Sequence, residues 1–253
     1  MYLFADQIPR NYRFAYFRKM PSLNSRSTQQ EIMDDLNCEG EVVAQTLREL
    51  EVINSRLGGN SISLNGINQL LMGKNGQEFK VADLGCGGGD IMKLLKEWGA
   101  RQNKHLELVG IDANPFIIDY ARKNLRGMQN ISFKTQNVLS RDFAKLKFDI
   151  IHCSLFLHHF TEEELLHLLS SFRRQARIGV VINDLHRHWL AYYSIKFLTQ
   201  FFSKSEMVKF DAPLSVQRAF KKNELVELIQ KAGFSDYQIK WRWAFRWEVI
   251  LTS

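Results

Sequence analysis

A glycine-rich turn flanked by two acids carries the strongest chemical signal in this chain of 253 residues. The stretch VADLGCGGGD, residues 81–90, follows a predicted strand and opens a predicted helix. Glycine permits the left-handed backbone and the close ligand approach that such a turn needs. Asp83 precedes the first glycine by two positions, where its charge would repel a phosphate and favour a cationic ligand. Asp112 closes the next predicted strand, in the place of the acid that holds ribose hydroxyls in nucleotide-binding folds.

The same stretch disfavours two other functions of glycine loops. The motif GxxxxGK[ST] is absent from the chain, which argues against hydrolysis of nucleoside triphosphates. A dinucleotide-binding loop of the form GxGxxG needs a third glycine where this chain has Asp90. The carboxylate of Asp90 would then face a pyrophosphate, which is electrostatically unfavourable.

Six of the seven histidines lie in the second half of the chain. His158 and His159 follow the fourth predicted strand, and His186 and His188 follow the fifth, at the edge where ligands bind to a parallel sheet. An imidazole has an ordinary pKa of about 6.5 and can deprotonate a phenolic hydroxyl near neutral pH. We therefore predict that one of these histidines, with His158, His159 and His186 preferred, is a general base. The alternative for His159 is a turn-fixing role, and His152, inside an apolar run, is predicted to be a core residue.

Further polar residues follow the fifth predicted strand. Asp184 closes that strand, where a buried carboxylate needs a partner, and Arg187 is close enough in sequence to pair with it. Asp211, Ser215 and Arg218 are spaced by four and three residues, which places them on one face of a helix. Arg187 and these three residues are predicted substrate contacts, and the alternative for each is a structural brace. The acids expected of a magnesium site are missing, so no metal is predicted.

The elements that must position these residues alternate between strands and helices from residue 78 onward. The strands are near-continuous apolar runs, as in strands that are buried on both faces of a parallel sheet. We predict strands over residues 79–84, 106–112, 131–136, 148–153 and 178–184, and helices over 91–98, 115–124, 162–173 and 222–231. Two later strands, 237–243 and 245–251, lie too close together for a crossover and should form an antiparallel hairpin. The predicted fold class is α/β, a doubly wound, mostly parallel sheet of seven strands with an antiparallel last strand.

The chain before residue 78 has no strong strand signal. Apolar spacings of three and four residues predict helices over residues 28–35, 39–57 and 62–72. We expect residues 1–77 to form a helical N-terminal cap on a Rossmann-like domain of residues 78–253.

An aromatic, amphipathic insertion at about residues 185–220 interrupts the alternation and is predicted to be a helix followed by a loop. Its aromatic side chains either pack in the core or line an apolar pocket for a lipophilic or aromatic molecule. The phenylalanines near Lys204 and Lys209 also suit transient contact with a membrane surface.

The composition sets broader limits. The net charge is +7, and the region from residue 173 onward holds 14 Lys and Arg residues against 7 Asp and Glu residues. This surplus of positive charge is better explained by a basic surface that faces water than by binding to an anionic partner. The three cysteines do not form a CxxC pair, which disfavours a disulfide framework and a structural zinc site. No apolar run of about 18 residues and no signal-peptide core are present, so a reduced, cytoplasmic protein is expected.

The residues of the glycine turn resemble those of the class I S-adenosylmethionine-dependent methyltransferases. The resemblance covers residues 80–184 by motif and the C-terminal hairpin by pattern. It implies that the cofactor is S-adenosylmethionine. It also implies that the glycine turn holds the methionine and ribose parts of the cofactor and that Asp112 binds the ribose hydroxyls. The cofactor-binding residues that it implies are Asp83, Gly85, Cys86, Gly87, Gly89, Asp112, Ala113, Asn137, Val138, Cys153 and Ser154.

The segments LFLHHF, NDLHRHWLAYY and FDAPLSVQRAF extend the resemblance to a bacterial subgroup linked to polyketide, quinone and pigment biosynthesis. That subgroup implies methyl transfer to a hydroxyl of a small molecule. One alternative is a methyltransferase that acts on nucleic acid or protein. The basic C-terminus and the segment WRWAFRW favour this alternative. The Asp/Asn-Pro-Pro-aromatic loop of base-modifying enzymes is absent after the fourth strand, so no nucleic-acid partner is expected. Another alternative is a cofactor-binding protein without catalysis.

Overall fold

A seven-stranded sheet forms the centre of the computed structural model, which describes residues 22–74 and 78–253. The strand order is β3-β2-β1-β4-β5-β7-β6, in which β7 runs antiparallel to both β5 and β6 and the other pairs are parallel. The strands are β1 (Glu78–Leu84), β2 (His105–Asp112), β3 (Ile131–Thr135), β4 (Phe148–Ser154), β5 (Ala176–Leu185), β6 (Tyr237–Arg242) and β7 (Arg246–Thr252). The predicted fold class is confirmed.

The α-helices of the described residues cover both faces of this sheet. They are α1 (Glu41–Arg56), α2 (Gly59–Leu71), α3 (Asp90–Arg101), α4 (Pro115–Asn124), α5 (Glu162–Gln175), α6 (Trp189–Phe202), α7 (Glu206–Arg218) and α8 (Lys222–Lys231). One core cluster joins one face of the sheet to α2, α3 and α4, and another joins the opposite face to α5 and α8. No helix among the described residues is both long and apolar enough to cross a bilayer.

The segment before α1 differs from the prediction. Residues 28–35 do not form the expected helix; only Ile32–Asp34 form one turn of 3-10 helix, within an otherwise irregular stretch. The carboxylate of Asp211 on α7 accepts hydrogen bonds from the backbone nitrogens of Ile32 and Met33 at 2.7 and 3.1 Å. The conformation of this segment is therefore set by tertiary contacts with α7. We call residues 22–35 the strap. The part of the predicted cap at residues 1–21 lies outside the described residues.

The insertion also differs from the expected helix and loop, because it forms two helices, α6 and α7. The chain turns at residues 203–205, and the Ser205 hydroxyl caps α7 by accepting a hydrogen bond from the backbone nitrogen of Val208. The same hydroxyl lies 2.8 Å from the Thr46 hydroxyl of α1. α7 is thereby held against α1, so both become part of a roof over the carboxyl edge of the sheet.

Helix α2 approaches β5 very closely at Gly66. A Cβ atom added at Gly66 would lie 2.5 Å from Cγ1 of Val181, whose side chain is fully buried. We predict that Gly66→Ala lowers the free energy of unfolding by about 1–3 kcal/mol through overpacking, despite the better helix propensity of alanine. Thermal unfolding measures the loss, and Asn68→Ala on the exposed side of the same helix is the control. A Gly66→Ala protein as stable as the wild type contradicts this packing.

Candidate active site

One large cavity lies at the carboxyl edge of the sheet. Its volume is about 1200 Å³, and its floor is built from the loops that follow β1, β2, β3 and β4. The strap, α1, α6, α7 and the turn between β6 and β7 form its other walls. Sites for one small ligand usually measure about 300–1,000 Å³, so this cavity has room for two molecules.

The structure brings most of the predicted site residues to this cavity. The predicted residues that line it are Asp83, Gly85, Cys86, Gly87, Asp112, Ala113, Asn137, Val138, Ser154, His158, His159, Asp211, Ser215 and Arg218. The loops at the carboxyl ends of the parallel strands bring most of them together, and α7 adds Asp211, Ser215 and Arg218.

The glycine loop needs its glycines for two separate reasons. Gly85, Gly87 and Gly89 have φ values of +66°, +51° and +80°, in the left-handed region. A Cβ atom at Gly85 would also lie 2.2 Å from the ring of Phe156, which lines the cavity from the loop after β4. The glycines therefore allow the loop to turn tightly and to present its backbone at the cavity floor.

Asp83 is held by a buried chain of polar groups. Its Oδ1 lies 2.7 Å from His152 Nδ1, and His152 Nε2 lies 2.9 Å from the Ser63 hydroxyl on α2. Ser63 also accepts a hydrogen bond from the Asn183 amide at 3.2 Å. His152 is fully buried and has partners on both ring nitrogens, in agreement with its predicted place in the core. This chain fixes the orientation of the Asp83 carboxylate at the end of β1.

Asp112 occupies the corresponding place at the end of β2. Its Oδ1 accepts a hydrogen bond from the backbone nitrogen of Asn114 at 3.0 Å. Burial raises the pKa of Asp112, and hydrogen bonds from the backbones of Asn114, Gly87 and Ala113 counteract part of that rise. The carboxylate therefore ties the glycine loop to the end of β2 at the cavity floor.

His158 forms a buried pair with Asp184. His158 Nδ1 lies 2.7 Å from Asp184 Oδ1, and Asp184 Oδ2 accepts a hydrogen bond from the backbone nitrogen of Leu157 at 3.0 Å. Burial opposes ionisation of Asp184, but contact with His158 and the hydrogen bonds from the backbone hold its pKa below the ordinary value. An ionised carboxylate only accepts hydrogen bonds, so Nδ1 of His158 carries a proton and Nε2 of a neutral ring is a base.

The predicted pair between Asp184 and Arg187 is wrong. Asp184 faces His158, whereas Arg187 turns to Glu224 on α8, with Nη2 at 2.5 Å from Oε1 and Nη1 at 3.0 Å from Oε2. Arg187 is buried and does not line the cavity. Its place in the fold is that of a brace between the end of β5 and α8.

Three more predicted residues do not line the cavity. Gly89 caps α3 and packs on Leu125, and Cys153 is fully buried in β4. The His186 ring packs against Trp247, with ring centroids 4.8 Å apart, and burial lowers the pKa of His186 to about 4. Among the histidines predicted as bases, the cavity wall therefore holds His158 and His159.

The strap contributes acidic side chains that no sequence motif distinguishes. Asp34 Oδ1 lies 2.6 Å from His159 Nδ1, and the other oxygen of Asp34 accepts a hydrogen bond from Arg218. Burial opposes ionisation of Asp34, but His159 and Arg218 hold its pKa well below the ordinary value. Glu31 accepts a hydrogen bond through Oε2 from the Ser215 hydroxyl at 2.8 Å. Asp34 and Glu31 are three positions apart, and only their tertiary contacts distinguish them from surface acids.

Glu31 has one buried oxygen without a hydrogen bond. Its Oε1 lies 3.7 Å from His158 Nε2, 3.7 Å from Arg218 Nη1 and 4.0 Å from His159 Nδ1. Burial raises the pKa of Glu31 to about 7, and Asp211 and Asp34 act in the same direction against His159 and Arg218. A buried carboxyl group that can carry a proton near neutral pH therefore faces the two histidines.

The raised pKa of Glu31 predicts a pH-dependent stability. Because the folded pKa of about 7 exceeds the ordinary value of 4.5, Glu31 stabilises the fold below pH 4.5 and loses this contribution as the pH rises through 7. We expect Glu31→Gln to remove that part of the decline between pH 5 and pH 8. Melting temperatures of both proteins across this window test it, with Glu162→Gln on the surface of α5 as the control. Parallel curves for the wild type and Glu31→Gln contradict the assignment.

Ligand-type atoms of Glu31, His158 and His159 lie within 4.8 Å of one another. The guanidinium of Arg218 already faces Glu31 Oε1 at 3.7 Å, and it would repel a metal cation at this point. This point is therefore unfavourable for a metal ion, and the expectation from the sequence that the protein binds no metal stays a prediction.

Comparison with known proteins decides the family. A family model described as "Methyltransferase domain" matches residues 75–233. The chain belongs to the methyltransferase-domain family. Its sheet and its glycine loop are those of a class I S-adenosylmethionine-dependent methyltransferase, and S-adenosylmethionine is its cofactor.

One curated relative supports this assignment. The chain is 31% identical over 115 residues to an uncharacterized methyltransferase of Synechocystis sp. (strain ATCC 27184 / PCC 6803 / Kazusa). The match covers 44% of this chain and 50% of the relative, so the chain spans about half the length of the curated relative that it matches.

Solved structures show the same fold. Human N-acetylserotonin methyltransferase with bound SAM superposes with a TM-score of 0.60 at 19% identity, over 85% of this chain and 56% of that chain. The plantazolicin methyltransferase BamL, solved with a triazolic substrate analogue and SAH, gives 0.61 at 15% identity, over 82% and 90%. Magnesium protoporphyrin IX methyltransferase of Synechocystis PCC 6803 gives 0.52 at 16% identity, over 87% and 89%. At these identities the likeness concerns the fold alone.

Proposed function

We propose that this methyltransferase transfers a methyl group from S-adenosylmethionine to a hydroxyl of a small aromatic, quinone or polyketide-type molecule. The observation that carries the proposal is the His158–Asp184 pair on the wall of the cavity whose floor is the glycine loop. An imidazole oriented by a carboxylate is suited to remove the proton of a hydroxyl. Several structurally similar proteins also act on small molecules, among them N-acetylserotonin methyltransferase.

The glycine loop and its two acids fit the cofactor. The left-handed glycines expose backbone at the floor, and the Asp112 carboxylate lies at the end of β2, where it can accept hydrogen bonds from ribose hydroxyls. Asp83 places a negative charge, fixed by His152, near the cationic part of the ligand. Ala113, Asn137, Val138 and Ser154 line the same cavity. S-adenosylmethionine supplies an activated methyl group on its sulfonium.

The protein contributes alignment and proton removal. An acceptor hydroxyl near His158 Nε2 would give its proton to that nitrogen as its oxygen took the methyl group, and the sulfonium would leave as a neutral thioether. Asp184 keeps the proton on Nδ1 and stabilises the imidazolium that results. The strap, α1 and α7 cover the cavity and limit the access of water. Holding donor and acceptor in line supplies a further part of the rate.

A panel assay tests the proposed function. Purified protein is incubated with radiolabelled S-adenosylmethionine and a set of phenols, hydroxyquinones and hydroxypyrones, together with the matched methyl ethers. We expect label transfer to some free hydroxyl compounds and none to the ethers. Transfer to no member of the panel, with the cofactor bound, contradicts the proposed acceptor class.

A macromolecular acceptor is the second candidate, because Trp241 and Trp243 are exposed beside Arg242 on the C-terminal hairpin. Ionic strength separates the two. Binding through six to ten phosphates falls by about 10³–10⁵-fold between 50 and 200 mM salt, whereas a small molecule in a covered cavity responds little. We expect the methyl-transfer rate to change by less than about threefold over this range. A steep loss of activity favours a nucleic acid.

We also propose that α6 touches an anionic membrane surface to collect a lipophilic acceptor. Its outer face exposes Trp189, Phe197, Phe201 and Phe202, while Ser194 and other residues of its inner side line the cavity. Residues 185–205 contain lysines and no Asp or Glu. We expect co-sedimentation with phosphatidylserine vesicles that Phe201→Ser with Phe202→Ser weakens. Recovery of the wild type in the supernatant contradicts this contact.

A further inference from the structure

Arg246, at the start of β7, is a buried cation that acts on Asp184 only from beyond salt-bridge distance and contacts no carboxylate among the described residues. Its exposed fraction is 1%, and it lines the cavity. The two other buried arginines of the described residues each hold a carboxylate: Arg187 pairs with Glu224, and Arg218 pairs with Asp34. Arg246 has no ion pair within 4 Å among the described residues. An unpaired buried charge is costly, so this arrangement needs a reason.

The hydrogen bonds of Arg246 go to neutral groups. Its Nη2 donates to Asn54 Oδ1 at 2.8 Å, and its Nη1 lies 3.4 Å from Asn183 Oδ1. Its Nε is buried and has no partner. A guanidinium offers five donors, so Arg246 keeps donors without a partner, the N–H of Nε among them. Neighbouring donors of a guanidinium can hold a carboxylate through two parallel hydrogen bonds.

The surroundings add positive charge. A Cβ atom at Gly59 would lie 2.9 Å from Arg246 Nη1, so the guanidinium rests against the backbone where α2 begins. The N-terminus of a helix carries a partial positive charge, and no side chain caps this one, whose N-cap residue is Gly58. Two positive groups in one buried place repel each other until an anion joins them.

Backbone strain lies immediately before Arg246. Ala244 and Phe245 form the turn between β6 and β7 and have φ values of +56° and +57°, which non-glycine residues rarely adopt. Both line the cavity, and the backbone nitrogen of His186 donates to the Phe245 carbonyl at 2.8 Å. Such strain concentrates at functional sites, where it positions side chains.

We propose that Arg246 binds a carboxylate of the methyl acceptor, so that the substrate is an aromatic hydroxy acid or a related acidic molecule. This inference rests on the proposed function, because it names the acceptor class of the same cavity. The apolar side chains of Leu57, Ile195, Leu198 and Trp243 line the cavity and would receive the ring of such an acceptor. The carboxylate would thereby complete the pairing that Arg246 lacks.

The test compares acids with their neutral amides. Protein saturated with S-adenosylhomocysteine is titrated calorimetrically with benzoate and 4-hydroxybenzoate, and with benzamide and 4-hydroxybenzamide. We expect at least about tenfold tighter binding of each acid, because a hydrogen-bonded charge is worth about 1.5–3 kcal/mol. We expect Arg246→Met to abolish the preference and Arg246→Lys to restore part of it. Arg56→Met, which removes an exposed charge from the neighbouring α1 and does not line the cavity, should keep it.

The melting temperature of Arg246→Met gives a second measurement. It distinguishes a binding role of Arg246 from a structural role, because the two predict changes in different directions. Removal of an unpaired buried cation should leave the melting temperature of Arg246→Met unchanged or raised, whereas loss of a structural brace lowers it. Equal binding of acids and amides by the wild type, no binding of either, or an unchanged preference in Arg246→Met overturns the inference. Methylation of neutral phenols by the wild type, measured in parallel, shows whether the proposed function survives that failure.

Discussion

Replacement of His158 by alanine should lower the turnover number by about 10²–10⁴-fold, the usual range for loss of a general base. The affinity for S-adenosylmethionine should change little, because His158 faces Asp184 and Glu31 rather than the glycine loop. Initial rates with an acceptor found in the panel assay, together with calorimetry of cofactor binding, measure both quantities. His167→Ala, which removes an exposed histidine from α5, is the matched control.

The partner of His158 provides a second test of the base. Asp184→Asn should also lower the rate, because an amide no longer fixes the proton on Nδ1. A His158→Ala enzyme with full turnover removes His158 from the mechanism and leaves His159 as the base to examine.

Replacement of Asp112 by alanine should weaken the binding of both S-adenosylmethionine and its demethylated product. Each lost hydrogen bond to a charged group is worth about 1.5–3 kcal/mol, so one such bond corresponds to about ten- to 150-fold in affinity. Because Asp112 also accepts a hydrogen bond from Asn114, the variant loses part of the loop geometry as well. Calorimetric titration with both ligands measures the change.

Two controls accompany the Asp112 variant. Asp119→Ala removes a carboxylate that pairs with Arg122 on the surface of α4, and it should bind the cofactor normally. Asp112→Asn keeps an acceptor for the backbone of Asn114 and should therefore lose affinity with less loss of stability. An unchanged affinity in Asp112→Ala shows that the ribose lies elsewhere.

Local patterns made most of the sheet predictable. The parallel strands other than β3 are largely apolar runs, and the predicted span of each of the five agrees with the structure to within about two residues. Helix α4 begins and ends where predicted, because the Asn114 side chain caps it and Pro115 suits its first position. The strap could not be predicted, since its backbone is bonded to Asp211, which lies 179 positions away from Ile32. The second helix of the insertion was missed because the break at Ser205 depends on contact with α1.

The functional site divides in the same way. Residues that follow strands, such as Asp112 and His158, reach the cavity because the topology of a parallel sheet dictates it. Arg187 was predicted as the partner of Asp184 because it is close in sequence. In the structure the partner is His158, which lies 26 positions away in the chain. Glu31 and Arg246 carry no local signal at all. Their significance comes from burial without a matching hydrogen bond, which only three-dimensional contacts define.

The side chain proposed to bind the acceptor carboxylate stands outside the segment that defines the family. Arg246 follows the segment 75–233, while the glycine loop and His158 lie inside it. The apolar wall of the cavity draws on both stretches, with Ile195 and Leu198 inside the segment and Leu57 and Trp243 outside it. Likeness to a relative across the middle of the chain therefore covers the donor site and leaves out the cation that would read the charge of the acceptor.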